Sequence, residues 1–335
     1  MVSRVALIGF GGVGRRALLE LERRFRGRVE VAAVSSSRGA VMVRSEGDLR
    51  SLLELSERGL RLDAHPSFAP GVSALDAVEE ANVDLALVAL PPSYETGEPN
   101  LSIYRGLVEL GVSVVTADKT GLALDYWGLL REAERRGLFV GYRATVAAGT
   151  PVLDAVRGLR GREVSRVLGV LNATTNYVLT LIESGLSYGD AVSRAAQEGL
   201  TEPDPAIDLE GLDPAAKIAI VGCELGLRMT MREVRRTPLS SVDEDEVRAA
   251  LRRGARVKYV ASIDVEGERA EVTPLELPAA DPMSRLSGAR NAVAIEVEGE
   301  IIYLEGPAGP AWRTAKVMMT DVLDYLRALE QGQAT

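Results

Sequence analysis

The sequence predicts an α/β protein, a doubly wound parallel sheet followed by a smaller α+β domain, and three features of the 335-residue chain predict it. The N-terminus reads as strand, glycine-rich turn and helix. Short, continuously apolar runs then alternate with helical patterns up to about residue 145, as strands buried on both faces beneath crossover helices require. The last third instead carries strands joined at Glu-Gly pairs, the pattern of antiparallel hairpins.

Residues 4–8 are the first apolar run, and Gly9-Phe10-Gly11-Gly12-Val13-Gly14 follows, leading into a helical pattern from Arg15 to about Phe25. In such a turn the first glycine permits the reversal, the second lets the backbone approach a pyrophosphate, and the third lets helix and strand pack closely. Residues 29–34 supply a second strand at the spacing a Rossmann-type dinucleotide site needs, so Gly9, Phe10, Gly11, Gly12, Val13 and Gly14 are candidate cofactor contacts. That second strand ends in Val34-Ser35-Ser36-Ser37-Arg38, with no acid before Glu46 to take the ribose hydroxyls of NAD(H). Ser36 and Arg38 suit a 2′-phosphate instead, which favours NADP(H) and leaves NAD(H) open. Arg44 or Arg50 is the candidate second cation. Residues 83–90, 113–116 and 138–142 read as further strands of the same sheet. The loop after residue 90 lies at the carboxyl end of a strand, where ligands bind in open sheets, so Pro91 and Ser93 join the cofactor candidates.

Beyond residue 150 the pattern changes to a strand at 164–172, helices near 176–184 and 188–198, strands at 256–264, 268–275, 292–298 and 301–305, and a last amphipathic helix near 312–329. Between them lies LTEPDPAIDLEGLDPAAK, residues 200–217, which gathers Glu202, Asp204, Asp208 and Asp213 around Lys217 in a chain with four lysines. Asp213-Pro214 reads as an N-cap with proline at the first helical position, which puts Asp213 and Lys217 one turn apart on one face. Such acids can bind a small zwitterion or tune a lysine.

Bulk properties exclude other classes. A formal net charge of −9 argues against nucleic acid as partner. No apolar run approaches membrane-spanning length and no signal-peptide layout is present, so a cytoplasmic protein is expected. Cys223 and His65 are single residues of their kinds, which removes disulfide frameworks, Cys/His zinc sites and any Ser-His-Asp machinery beyond what one histidine could supply. Cys223 is expected to pack in the core and His65 to sit in a loop.

Several of these segments together resemble the homoserine dehydrogenases. The resemblance rests on the 200–217 string, on Val114-Val115-Thr116-Ala117-Asp118-Lys119, on Arg143-Ala144-Thr145-Val146-Ala147-Ala148-Gly149-Thr150-Pro151, on Asn172-Ala173-Thr174-Thr175-Asn176-Tyr177, and on Gly306-Pro307-Ala308-Gly309 with Thr314-Ala315. It implies reversible reduction of L-aspartate 4-semialdehyde to L-homoserine. Lys217 would be the proton donor and Lys119 would lie near the reacting oxygen and the nicotinamide. Glu202, Asp208, Asp213 and Thr174 would face the substrate, with Asp213 also orienting the catalytic lysine, and Gly306 would serve the cofactor. It further implies a monovalent cation, usually sodium, on the backbone carbonyls of Arg143, Val146, Ala148 and Thr150, and a homodimer through the second sheet. Three positions depart from the family pattern: Asp118 for asparagine, Arg143 for glutamate and Leu200 for tyrosine. The dinucleotide-binding domain is expected at 1–145, completed by 306–335, and the substrate, catalytic and dimerisation domain at 146–305. No length remains for an appended regulatory domain, so a short form is expected. Two alternatives stay open: a non-catalytic dinucleotide sensor, and another semialdehyde oxidoreductase, whose phosphorylating form needs a reactive thiol that Cys223 is poorly placed to supply.

Overall fold

The computed structural model describes residues 2–200 and 206–332. The chain forms two units, Met1–Ala148 with Gly309–Thr335, and Gly149–Ala308, so the crossings fall three residues beyond each boundary read from the sequence.

The first unit runs β1 (Ser3–Ile8), α1 (Gly12–Phe25), β2 (Val29–Ser36), β3 (Gly39–Met42), α2 (Glu46–Glu57), β4 (Phe68–Pro70), α3 (Ala74–Glu80), β5 (Leu85–Val88), α4 (Asn100–Glu109), β6 (Ser113–Thr116), α5 (Thr120–Arg135) and β7 (Val140–Gly141). Among the described residues its sheet has seven strands in the order β4-β3-β2-β1-β5-β6-β7. β1 pairs in parallel with both β2 and β5, and the parallel run continues through β6 to β7. β3 and β4 add an antiparallel edge. Their four and three residues are too short to show a period of two in the sequence.

Strand β1 explains the two layers. Val5 and Leu7 join Leu18, Leu21, Leu52, Met318 and Val322 in one buried cluster, whereas Ala6 and Ile8 join Ala77, Tyr104, Leu107 and Leu129 in another. Alternate side chains of one strand therefore serve two cores, as a sheet covered on both faces demands. The chain moves outward from β1 through β4 and then returns to place β5 on the other side of β1. The order reverses there, at the carboxyl ends of β1 and β5, which is where open sheets of this kind bind their ligands.

The second unit contains α6 (Val152–Gly158), β8 (Val164–Val170), α7 (Ala173–Glu183), α8 (Tyr188–Gln197), α9 (Ala206–Leu209), α10 (Leu212–Glu224), β9 (Arg235–Arg236), α11 (Glu244–Arg252), β10 (Ala255–Asp264), β11 (Arg269–Pro278), β12 (Arg290–Val297) and β13 (Glu300–Pro307). The last helix, α12 (Ala311–Glu330), belongs to the first unit. Among the described residues six strands of the second unit order as β13-β12-β8-β10-β11-β9, antiparallel apart from the β11–β9 pair. The β12–β13 reversal is the Glu-Gly turn expected from the sequence: Val297 pairs with Glu300, and Glu298 and Gly299 take φ of 54° and 81°, the left-handed pair a two-residue hairpin requires. Helices α7, α10 and α11 pack on this sheet. α10 buries nearly every side chain from Asp213 to Glu224, Lys217 being half-buried, so it is a core helix rather than a solvated one. No helix among the described residues is long and apolar enough to cross a membrane.

Candidate active site

The glycine turn sits at the reversal point of the first sheet. Gly9 adopts φ 100°, and a Cβ there would lie 2.3 Å from the carbonyl oxygen of Ala89, just past β5. A Cβ on Gly14 would lie 1.9 Å from the Gly9 carbonyl oxygen, so helix and turn touch backbone to backbone. Gly11 has nothing within 4 Å of where its Cβ would be, and as N-cap of α1 it offers no side-chain cap to the first N–H groups. An open, uncapped helix start is what an anionic phosphate needs. The helix begins at Gly12, three residues earlier than the apolar period indicates. Phe10 is buried, so it can present only backbone to a ligand, whereas Val13 is half-buried against the same core.

At the end of β2 the hydroxyl of Ser35 is buried without a hydrogen-bond partner among the described residues, an orphaned donor facing no protein acceptor. Ser36 Oγ donates to the Gly39 carbonyl at 3.2 Å and accepts from the Arg38 N–H at 3.3 Å. Arg38 occupies the two-residue turn into β3, and its Nη1 lies 2.6 Å from Asp63 Oδ2. Arg44 does not share this place: its guanidinium pairs with Glu80 at 2.8 Å, and Arg61 is the second cation on Asp63, also at 2.8 Å.

Lys119 is half-buried at the start of α5, one residue after Asp118. Asp118 is buried and its carboxylate accepts four donors: Thr120 N–H at 3.0 Å and Thr120 Oγ1 at 2.8 Å on Oδ1, Asn100 Nδ2 at 3.0 Å and Tyr104 OH at 3.2 Å on Oδ2. Burial pushes its pKa above the ordinary aspartate value, while Thr120, Asn100 and the charge of Lys119 pull it back. The same network holds the loop after β5, because Asn100 Nδ2 also donates to the Pro91 carbonyl at 2.9 Å and Thr120 Oγ1 accepts from the Ser93 N–H at 3.0 Å.

In the second unit the acids and Lys217 form one buried cluster. Lys217 Nζ donates to Asp213 Oδ2 at 2.6 Å and to the Leu171 carbonyl at 2.7 Å, with the two side chains only 14% and 9% exposed. Asn172, which the sequence reading does not single out, bridges the carboxylates: its Nδ2 reaches Asp208 Oδ1 at 2.7 Å and Asp213 Oδ2 at 2.9 Å. Its Oδ1 caps α7 by accepting the Thr175 N–H at 2.9 Å. The N-cap expectation for Asp213 is corrected. Gly211 is the N-cap, at φ 76°, where a Cβ would stand 2.4 Å from the Tyr259 hydroxyl; Asp213 and Pro214 fall inside the first turn. Proline is tolerated there because that N–H has no helical partner. Thr174 Oγ1 donates to the Leu200 carbonyl at 2.5 Å. Glu202 and Asp204 lie outside the described residues.

Arg143 turns its guanidinium to Asp321 Oδ1 at 2.5 Å and Asp324 Oδ2 at 2.7 Å on α12, and its N–H donates to Asp321 Oδ2 at 2.9 Å. Its charge is therefore matched by acids. Arg143 to Thr145 form a tight turn, Val146 is extended, and the Thr150 carbonyl accepts the Val152 N–H at 2.7 Å. Thr150 Oγ1 is buried without a hydrogen-bond partner among the described residues, and a Cβ on Gly306 would lie 2.3 Å from it. Ala148 lies at the end of the first unit and Gly306 in the second, in β13 opposite Asn291. Cys223 is buried, with its thiol donating to the Met229 carbonyl and its pKa pushed up to about 11, which disqualifies it as a thioester nucleophile. His65 is in a loop but buried, one ring nitrogen 3.1 Å from the Asp48 carbonyl oxygen and the other accepting the Ser67 N–H at 3.0 Å.

A glycine-turn sheet with an open phosphate cradle, and a half-buried lysine held by a carboxylate, define an NAD(P)-dependent oxidoreductase. The model of the homoserine dehydrogenase family matches residues 151–323. The NAD(+)-dependent homoserine dehydrogenase of Pseudomonas canavaninivorans is 31% identical over 98% of each chain. Among solved structures, a hyperthermophilic archaeal homoserine dehydrogenase in complex with NADPH superposes with a TM-score of 0.82 at 25% identity over 97% of both chains. The homoserine dehydrogenase of Thermoplasma acidophilum does so with a TM-score of 0.81 at 27% identity over 98% of this chain and 100% of that one. The chain belongs to the homoserine dehydrogenase family.

Proposed function

We propose that the protein reduces L-aspartate 4-semialdehyde to L-homoserine, reversibly, with NADPH as the favoured reductant, as a step of threonine, methionine and isoleucine biosynthesis. The observation that carries this reading is the buried Asn172–Asp208–Asp213–Lys217 cluster, because it leaves an ammonium with a free direction in a water-poor place. An ammonium has three N–H bonds; Asp213 and the Leu171 carbonyl take two, and the third is left for a substrate oxygen. When bound, the nicotinamide supplies the hydride for the aldehyde carbon. Lys217 then gives its proton to the oxygen on which charge develops, and Asp213 holds Nζ in place while it does so. Asp208 and Glu202 are the partners for the substrate ammonium, Thr174 shapes the same pocket through its bond to Leu200, and Lys119 supplies a second positive charge near the nicotinamide.

Gly9 to Gly14 are assigned to the pyrophosphate, Pro91, Ser93 and Gly306 to further cofactor contacts, and Ser36 and Arg38 to the 2′-phosphate. Support for NADP(H) comes from the missing acid at the end of β2 and from the NADPH held by the archaeal relative; the NAD(+)-dependent Pseudomonas relative supports NAD(H) as the alternative cofactor. A sodium ion on the carbonyls of segment 143–150 belongs to the same proposal. Arg143 stands where the family has glutamate and would bring positive charge near such an ion, but its guanidinium is paired with Asp321 and Asp324, and the orphaned Thr150 hydroxyl suits an oxygen-rich site. A homodimer in the cytoplasm completes it, to be checked by sedimentation. The direct test of the activity is NADPH oxidation by the purified protein, which should require aspartate semialdehyde. Tight NADPH binding without oxidation would leave a dinucleotide sensor as the reading.

A further inference from the structure

Two guanidinium groups of the first unit share one carboxylate oxygen: Arg38 Nη1 lies 2.6 Å and Arg61 Nη2 2.8 Å from Asp63 Oδ2. All three are placed by ordered backbone. Arg38 is fixed in the β2–β3 turn by its N–H to Ser36 Oγ and by the Gly71 N–H, which donates to its carbonyl at 2.9 Å. Asp63 stands in a single 3-10 turn, Leu62–Ala64, anchored by the buried Leu62 and followed by the buried His65. The side chains are nonetheless open to a ligand, at 54% exposure for Arg38, 58% for Arg61 and 35% for Asp63. Two cations with one built-in anion, on anchored backbone, thus stand beyond the carboxyl end of β2, on the side where a doubly wound sheet receives the adenosine ribose.

We propose that Asp63 sets the cofactor selectivity of this enzyme by occupying the guanidinium groups of Arg38 and Arg61, which would otherwise turn wholly to a 2′-phosphate. The inference rests on the reading of Arg38 as a 2′-phosphate partner. A phosphomonoester near two charges must share these cations with a carboxylate and is repelled by it; the uncharged ribose hydroxyls of NAD(H) are not. Asp63 therefore lowers affinity for NADP(H) and leaves NAD(H) nearly untouched, which narrows the gap between the two. Because the groups are half in water, the repulsion is screened and amounts to about a three- to tenfold effect at low salt, smaller at high salt.

The experiment is calorimetric titration of the full-length protein with NADP+, NAD+ and 2′,5′-ADP, comparing wild type with Asp63→Asn, Arg61→Ala and Arg38→Ala. Asp63→Asn keeps the shape and one acceptor oxygen but removes the charge. It should tighten NADP+ and 2′,5′-ADP about three- to tenfold, with NAD+ unchanged within about twofold, and the gain should shrink as salt is raised. Arg61→Ala should weaken the two ligands that carry a 2′-phosphate and leave NAD+ unchanged. An unchanged or weakened NADP+ affinity in Asp63→Asn overturns the proposal, and so does a changed selectivity that comes from loss of NAD+ affinity, because Asp63 would then be a ribose ligand. Arg38→Ala separates the two levels. If it leaves the NADP+/NAD+ ratio intact, the 2′-phosphate reading itself fails; if it collapses the ratio while Asp63→Asn does nothing, only the role of Asp63 fails.

Discussion

Lys217 has its stem in the core and its charge committed to Asp213, so the chemistry of one atom depends on neighbours that fix where it points. Lys217→Ala should lower turnover by about a hundredfold or more while NADPH still binds, since a positioned general acid contributes on that scale. Lys217→Arg should rescue little, because a guanidinium stays protonated and reaches differently. Steady-state kinetics beside fluorescence titration of NADPH checks both; near-normal turnover in Lys217→Ala would reduce the pair to a structural ion pair. Asn172 makes a sharper case. Asn172→Ala removes the N-cap of α7, worth about 1 kcal/mol, and also leaves Asp208 and Asp213 without their shared donor. It should therefore impair use of the semialdehyde well beyond the small loss of stability, with cofactor binding intact. If kinetics and melting temperature fall only in step, Asn172 is a cap and nothing more. Lys217 and the acids are legible in the sequence because lysine is scarce and the acids cluster at 202–213. Asn172 is not, since its two carboxylate partners lie 36 and 41 residues away and no local spacing announces them.

At the scale of elements, the glycine turn and the buried strands are legible because their constraints are local: Gly9 must turn at positive φ and Gly14 must let backbone meet backbone. The start of α10 is misjudged for an equally local reason. An Asp-Pro pair is a good cap signal, yet the left-handed Gly211 pressed against Tyr259 starts the helix two residues earlier. The network around Asp118 is a third kind of feature, in which one side chain ties the ends of β5, α4, β6 and α5 together. Asp118→Ala would strip acceptors from Asn100, Tyr104 and both donors of Thr120, for a cost of about 2 to 4 kcal/mol. Because Asn100 and Thr120 also hold Pro91 and Ser93, the same variant should weaken cofactor binding by about tenfold or more. Asp118→Asn keeps the acceptor for Thr120 and should lose much less of both. Equal losses in the two variants, measured by thermal melting and cofactor titration, would mean that the Oδ2 acceptor and charge facing Asn100 and Tyr104, rather than the Thr120 bonds, hold these loops.

For the whole molecule the relevant quantity is stability, and Lys258 links it to pH. This lysine on β10 is fully buried, its Nζ donating to Asn176 Oδ1 at 3.1 Å and to the Leu286 carbonyl at 2.5 Å. Burial pulls its pKa down to about 8, with Arg256 on the same strand adding to the effect and Glu183 on α7 opposing it. A neutral amine still has two N–H bonds, enough for both acceptors, so the proton can leave without breaking the network. Below about pH 8 both folded and unfolded chains hold that proton, and the folded state bears the cost of the buried charge in full. Between about 8 and 10.5 only the unfolded chain holds it, so the unfolded state binds more protons and stability must rise with pH. The gap of 10.5 to about 8 corresponds to about 3 kcal/mol at most. Lys258→Met, which keeps the stem and cannot titrate, should lack this rise. The difference in unfolding free energy between wild type and variant should therefore climb in favour of wild type across that window. Trp127 and Trp312 both lie in the first unit and Lys258 in the second, so urea unfolding should be followed by circular dichroism, which reports on both. A difference that stays flat, or falls, from pH 8 to 10.5 would show that Lys258 remains charged in its buried position and that Glu183 outweighs burial.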